Sequence, residues 1–196
     1  MKHPIFAVIC TVGFLVLSSD LSQAQQIRSA TLQIQPSTND QASEDIDKKL
    51  ESMGHALPEV SKPVGIYKRA VVVGKMVYLS GHIPINKAGK IMQGKVGKDV
   101  AIKDAQYAAQ RSALAMLASL KAEVGSLNKV KRLVKTTGMV NCTADFKEQP
   151  QVINGCSQLF KDLWGEENGV GARSAVGMVS LPKGAIVEIE AIFELK

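Results

Sequence analysis

The sequence predicts an α+β fold, a mixed β-sheet with two helices packed on one face. Three observations carry this. Alternating apolar runs at residues 67–82, 130–140 and 172–193 have strand length and are rich in valine and isoleucine. Two longer stretches, Ala101 to Val124 and Gln149 to Trp164, place apolar residues at helical spacing. The resulting order, β-β-(β)-α-β-α-β-β, has too few helices to cover both faces of the sheet, so they gather on one.

Taken from the start, the chain opens on a targeting segment. Lys2 and His3 make a short positive start, Ile5 to Leu17 is an apolar run too short to span a bilayer comfortably, and Ser22-Gln23-Ala24 offers the small residues a signal peptidase reads. Residues 1–24 are therefore expected to be a signal peptide. The mature chain is expected to be exported, periplasmic or secreted, with no stable membrane anchor. Residues 25–43, dominated by Gln, Ser, Thr and Asn, read as a polar linker. The folded domain is expected over 44–196, beginning with a short helix from Glu44 to Met53 that Gly54 stops.

Tyr67 to Val73 and Met76 to His82 read as two strands joined tightly at Gly74-Lys75. Asn86 to Gly89 is a turn, and Lys90 to Gly94 a short strand or extended piece. In the first long helix Ala109, Ala113, Met116, Leu117, Leu120 and Val124 share one face, and Gly125 is its natural stop. Val130 to Val140 is the next strand. The second helix follows, then a loop from Gly165 to Gly171. Two alternating runs flanking Leu181-Pro182-Lys183-Gly184 close the chain and read as a β-hairpin.

Composition narrows the function. Hydrophobic residues make up 45% and aromatic ones 5%, enough for a core but one built of aliphatic side chains. The net charge of +6 is scattered, without the dense basic stripe and interleaved aromatics of a nucleic-acid groove, so no nucleic-acid partner is expected. His55 and His82 are the only histidines beyond the signal, and no Cys-x-x-Cys or His-Glu-x-x-His spacing occurs, so neither metal nor cofactor is expected. Cys142 and Cys156 could form a bridge after export or stay as thiols. Arg173, among small residues at the start of its strand, brings a planar, permanently charged fork suited to a carboxylate. Arginines so placed also commonly pair with a surface carboxylate.

Several segments together resemble one known family. They are Gly65-Ile66-Tyr67, Tyr78-Leu79-Ser80-Gly81-His82-Ile83-Pro84, Val134-Lys135-Thr136-Thr137, Ala172-Arg173-Ser174-Ala175, Leu181-Pro182-Lys183-Gly184 and Val187-Glu188-Ile189-Glu190-Ala191-Ile192. In this order, across Leu57 to Lys196, they resemble the Rid family of reactive intermediate deaminases, also called the YjgF or endoribonuclease L-PSP family, with a chorismate-mutase-like fold. Val152-Ile153-Asn154-Gly155 and the leading helix look like a longer-headed branch of it. The resemblance implies a homotrimer with a barrel-like core and clefts between subunits. It implies that Arg173 holds a substrate carboxylate, that Tyr67, Ser80 and Asn154 line the cleft, and that Glu188 orients water. The implied reaction is metal-free hydrolysis of an enamine or 2-imino acid to a 2-oxo acid and ammonia. Ala175 stands where the family often has cysteine, and His82 where glutamine is common; His82 is expected at the cleft rim. The alternative is a non-catalytic trimer binding small carboxylates, or a stress-related interaction protein. Ribonuclease activity, attached to the family by name, finds no histidine pair here.

Overall fold

The computed structural model describes residues 45–196 apart from Ser61. The expected signal peptide and linker lie outside the described residues, as does Glu44, where the leading helix is expected to begin. Helix α1 spans Ile46–Ser52 and is capped by Asp45, whose carboxylate accepts from the amides of Asp47 and Lys48. Ile46 and Leu50 on it are buried, and the Ile46 amide donates to Asn128 Oδ1 at 2.8 Å.

Strands β1 (Ala70–Val73) and β2 (Met76–His82) form the tight hairpin, with Gly74 in the left-handed region at φ 59°. The 86–89 turn is held by Asn86 Oδ1, which accepts from the amides of Ala88 and Lys90, both at 2.9 Å. Residues 90–94 run extended and make isolated bridges, Ile85 to Ile91 and Gln93 to Ala185, without becoming a strand. Helix α2 (Ile102–Val124) buries the whole predicted stripe and ends at Gly125, φ 89°. Strand β3 (Val130–Asn141), helix α3 (Gln149–Gly169), β4 (Ala172–Met178) and β5 (Val187–Leu195) complete the fold. Part of the loop expected from Gly165 is helical. Gly165 breaks α3 with φ 75° and ψ 179°, and the chain then turns helically again to Gly169.

The sheet order is β1-β2-β5-β3-β4, antiparallel except for β3 and β4, which are parallel. The expected hairpin of β4 with β5 does not form, because β3 lies between them. The reason is connectivity. Helix α3 supplies the crossover that parallel pairing needs, so β4 lands on the free edge of β3. Residues 179–186 are then long enough to step over the end of β3, where the Asn141 amide donates to the Ile186 carbonyl at 2.9 Å.

Helices α2 and α3 cover one sheet face, to which Val187, Ile189, Ala191 and Phe193 point. The core is aliphatic, as composition requires, with one aromatic cluster at its end where Phe160 and Phe193 meet edge to face at 5.4 Å between centroids. The opposite sheet face carries exposed Val71, Val73, Tyr78, Val176 and Met178. Cys142 and Cys156 are both buried free thiols, so no bridge links them.

Candidate functional site

Arg173 sits on the edge strand β4, with its side chain on the helix-covered side. Its Nη1 donates to Asn154 Oδ1 at 2.7 Å and to Ser157 Oγ at 3.0 Å, both on α3. Asn154 and Ser157 are one helical turn apart, the spacing at which two side chains reach the same neighbour. Gly155 lets this turn of α3 come close to α2, because a Cβ there would run into the Gln106 carbonyl. No carboxylate pairs with Arg173 among the described residues. The guanidinium is thus aimed by two neutral groups and keeps its charge and remaining donors for something else. Ser157 was not singled out in the sequence; its signal is the polar i, i+3 pair with Asn154 beside buried Ile153 and Cys156.

Glu188 lies elsewhere. Thr136 of β3 is opposite Arg173 on one side and Ala191 on the other, whereas Met139 is opposite both Val176 and Glu188. Three residues along a strand reverse the side-chain direction, so Arg173 and Glu188 of one chain point to opposite sheet faces. Three residues along and two strands across also separate their backbones by roughly 14 Å. Glu188 is half-buried against Gly81, whose missing side chain leaves the space that the carboxylate fills. Burial raises its pKa above the ordinary carboxylate value, and Glu190 adds to the shift.

Ser80 stands beside Gly81 at the irregularity between Leu79 and His82, where β2 pairs with β5. Its Oγ donates to the Lys68 carbonyl at 2.6 Å, which ties the bulge to the segment entering β1. Tyr67 precedes that segment and is exposed, lining a recess of about 460 Å³ with Lys68 and Arg69. Ser80 lines a different recess of about 290 Å³ on the open sheet face, with Lys135, Thr137 and Glu190. Two groupings result. Arg173 and Asn154 are in contact; Ser80 and Glu188 flank Gly81, with Tyr67 next to the Lys68 that Ser80 anchors.

His82 is not at a rim. It is 3% exposed, with Nδ1 2.7 Å from the Ser80 carbonyl and Nε2 2.8 Å from Ser119 Oγ on α2. A carbonyl only accepts, so Nδ1 carries the proton and Nε2 accepts from the serine hydroxyl. Desolvation lowers its pKa to about 4. The ring is a neutral strut that fixes the bulge carrying Ser80 and Gly81. No group of three or more His, Cys, Asp or Glu side chains suited to a metal occurs among the described residues.

Residues 47–190 match the protein family described as "YjgF/chorismate_mutase-like, putative endoribonuclease". Protein TCP17 of Trypanosoma cruzi is 38% identical over 154 residues, 79% of this chain and 96% of that protein. The 2-iminobutanoate/2-iminopropanoate deaminase of Escherichia coli (strain K12) is 35% identical over 130 residues, 66% of this chain and 87% of the enzyme. The crystal structure of a protein of unknown function from Agrobacterium tumefaciens matches with a TM-score of 0.71 at 41% identity, over 79% of this chain and 96% of that one. With the mixed five-stranded sheet and its one-sided helices, these matches establish that the chain belongs to the YjgF/chorismate-mutase-like family.

Proposed function

We propose that the protein hydrolyses 2-imino acids to 2-oxo acids and ammonia, in clefts completed by a second copy of the chain. The observation that carries this is Arg173, an accessible guanidinium oriented by Asn154 and Ser157 and left without a carboxylate of its own. Such a fork binds a substrate carboxylate by two parallel charge-assisted hydrogen bonds. The deaminase name of the Escherichia coli relative supports the same substrate class.

The chemistry needs little more. The imine carbon is already electrophilic, so a held carboxylate and a placed water supply most of the catalysis. Glu188, with its raised pKa, accepts a proton from water as the water oxygen adds to the carbon of the protonated imine (C=NH2+), forming the neutral carbinolamine. Returned to nitrogen, that proton makes the amine a leaving group, and Glu188 takes up the hydroxyl proton as the C=O bond forms, the C–N bond breaks and ammonia departs. Because Arg173 and Glu188 of one chain face opposite ways, the Glu188, Ser80 and Tyr67 grouping is supplied by a neighbouring copy. The exposed apolar face of the sheet offers a surface for such an assembly, and a homotrimer with three equivalent clefts is the arrangement we favour.

The test is release of 2-oxo acid and ammonia when purified protein meets freshly generated 2-aminoacrylate. Arg173→Ala is expected to lower kcat/KM by about 30-fold to several thousand-fold, the loss of a desolvated charge-assisted contact of about 2–5 kcal/mol. Arg173→Lys restores only part, because a point charge lacks the fork. Glu188→Gln lowers kcat while oxo-acid binding persists. Equal activity in wild type and Arg173→Ala overturns the reading, and binding without turnover in wild type leaves a carboxylate-binding protein.

A further inference from the structure

A cavity of about 790 Å³ lies on the helix side of the molecule, away from Arg173. Its walls are the segment leaving α1, the turn after Ile85 and the first half of α2. Arg111 of α2 lines it and is 7% exposed. Arginine is rarely buried this far without an anionic partner, since a desolvated charge must be paired or hydrated. Here Nε donates to the Ile85 carbonyl at 2.7 Å, and no carboxylate pairs with the side chain among the described residues. Guanidinium has five N–H donors, so four are left over. Neither terminal nitrogen is a fully buried atom without a partner, and Arg111 is among the residues that line the cavity.

The surroundings define what would fill it. Tyr107 is one helical turn before Arg111 on the same face of α2, and its ring is partly exposed at the cavity wall. Leu57, Ile85 and Leu114 supply apolar surface in a wall that also carries the polar side chains of His55, Asn86 and Gln110. Lys87 and Glu59, both exposed, line it with opposite charges and His55 is half-buried in the same lining, so Arg111 is its one buried permanent cation. The volume falls in the range of sites for medium-sized organic ligands and exceeds what a short imino acid needs.

We propose that this cavity is a second binding site, for a small molecule with an oxyanion head held by Arg111 and an apolar body lying along Tyr107, Leu57 and Leu114. It does not depend on the hydrolase reading, because no residue of the Arg173 grouping lines it. A carboxylate and a phosphate monoester both offer the oxygen pair that the fork accepts, and the test separates them.

Full-length protein carrying Arg173→Ala, which removes the other anion site, is titrated by calorimetry with 4-phenylbutanoate, phenyl phosphate and the neutral 4-phenylbutanamide. One of the two anions is expected to bind saturably at one site per chain, and the amide to bind at least about tenfold more weakly. Adding Arg111→Lys or Tyr107→Ala is expected to weaken the anion by about tenfold or more. Absence of saturable binding by both anions overturns the proposal, as does an amide that binds equally well. Where Arg111→Lys does not fold, Tyr107→Ala at its exposed position decides, and unchanged affinity there overturns the proposal.

Discussion

Chains carrying Arg173→Ala and chains carrying Glu188→Gln, each impaired alone, are expected to regain activity when mixed in one oligomer. The expectation rests on the register of the sheet. Arg173 and Glu188 of one chain lie on opposite faces, three residues and two strands apart, or roughly 14 Å between backbones. The carboxylate and imine carbon of a 2-imino acid are bonded neighbours, so one chain cannot serve both. If Arg173 of one copy works with Glu188 of the next around a closed ring, a site survives wherever each variant supplies its intact half. In a random equal mixture that holds for about a quarter of the sites, whatever the ring size. If the ring is the proposed trimer, selecting mixed rings by two affinity tags raises the fraction to about a third, because each such ring then contains one intact site. The assay is the initial rate of 2-oxo acid formation from freshly generated 2-iminopropanoate, per chain and relative to wild type. The mixtures are prepared by co-expression and, separately, by combining preformed homo-oligomers without exchange. Mixed oligomers no more active than either parent refute shared sites, and recovery without subunit exchange refutes them equally.

Three other outcomes follow from particular contacts. In Gly81→Ala the new methyl takes the space of the Glu188 carboxylate, a flexible end that can move aside, so the protein should fold while kcat drops and oxo-acid affinity is kept. A matched loss of affinity and kcat would place Glu188 in binding instead. His82 has a folded pKa of about 4 against an ordinary 6.5, so the unfolded chain takes up its proton first as pH falls. Its contribution to stability is therefore whole above pH 6.5 and declines through the interval down to pH 4, by about 3 kcal/mol in all. Urea melts across that interval should show the decline, and His82→Gln should flatten it; an identical decline in the variant would assign it to other groups. Gly155→Ala drives a methyl into the Gln106 carbonyl, an overpacking that should cost about 1–3 kcal/mol, read as a lower urea midpoint at unchanged m-value.

Local signals determined a large part of this protein before any tertiary contact. The apolar stripe of α2, its stop at Gly125, the Gly74 turn and the Asn86 turn all follow from periodicity and turn chemistry within a few residues. Arg173 stood out as a carboxylate fork by its type and its small neighbours, and the family motifs added Asn154, which the structure places on its Nη1. What neighbours in sequence could not decide was pairing across the sheet. The runs around residues 172–178 and 187–195 look like a hairpin because alternation marks a strand without naming its partner; α3 and the long link over β3 made the choice. The same limit hid the fate of single side chains. His82 reads as a strand-end polar residue until Ser119, 37 residues away, closes over it. The motifs put Glu188 and Arg173 in one cleft without saying whether a single chain supplies both, and the register sets them on opposite faces of one chain. Arg111 is one cation on a helix until α1's exit segment and the Ile85 turn fold against it and take away its water. Each of these was settled by long-range burial and strand order, which depend on where distant segments meet and leave no periodic trace in the residues themselves.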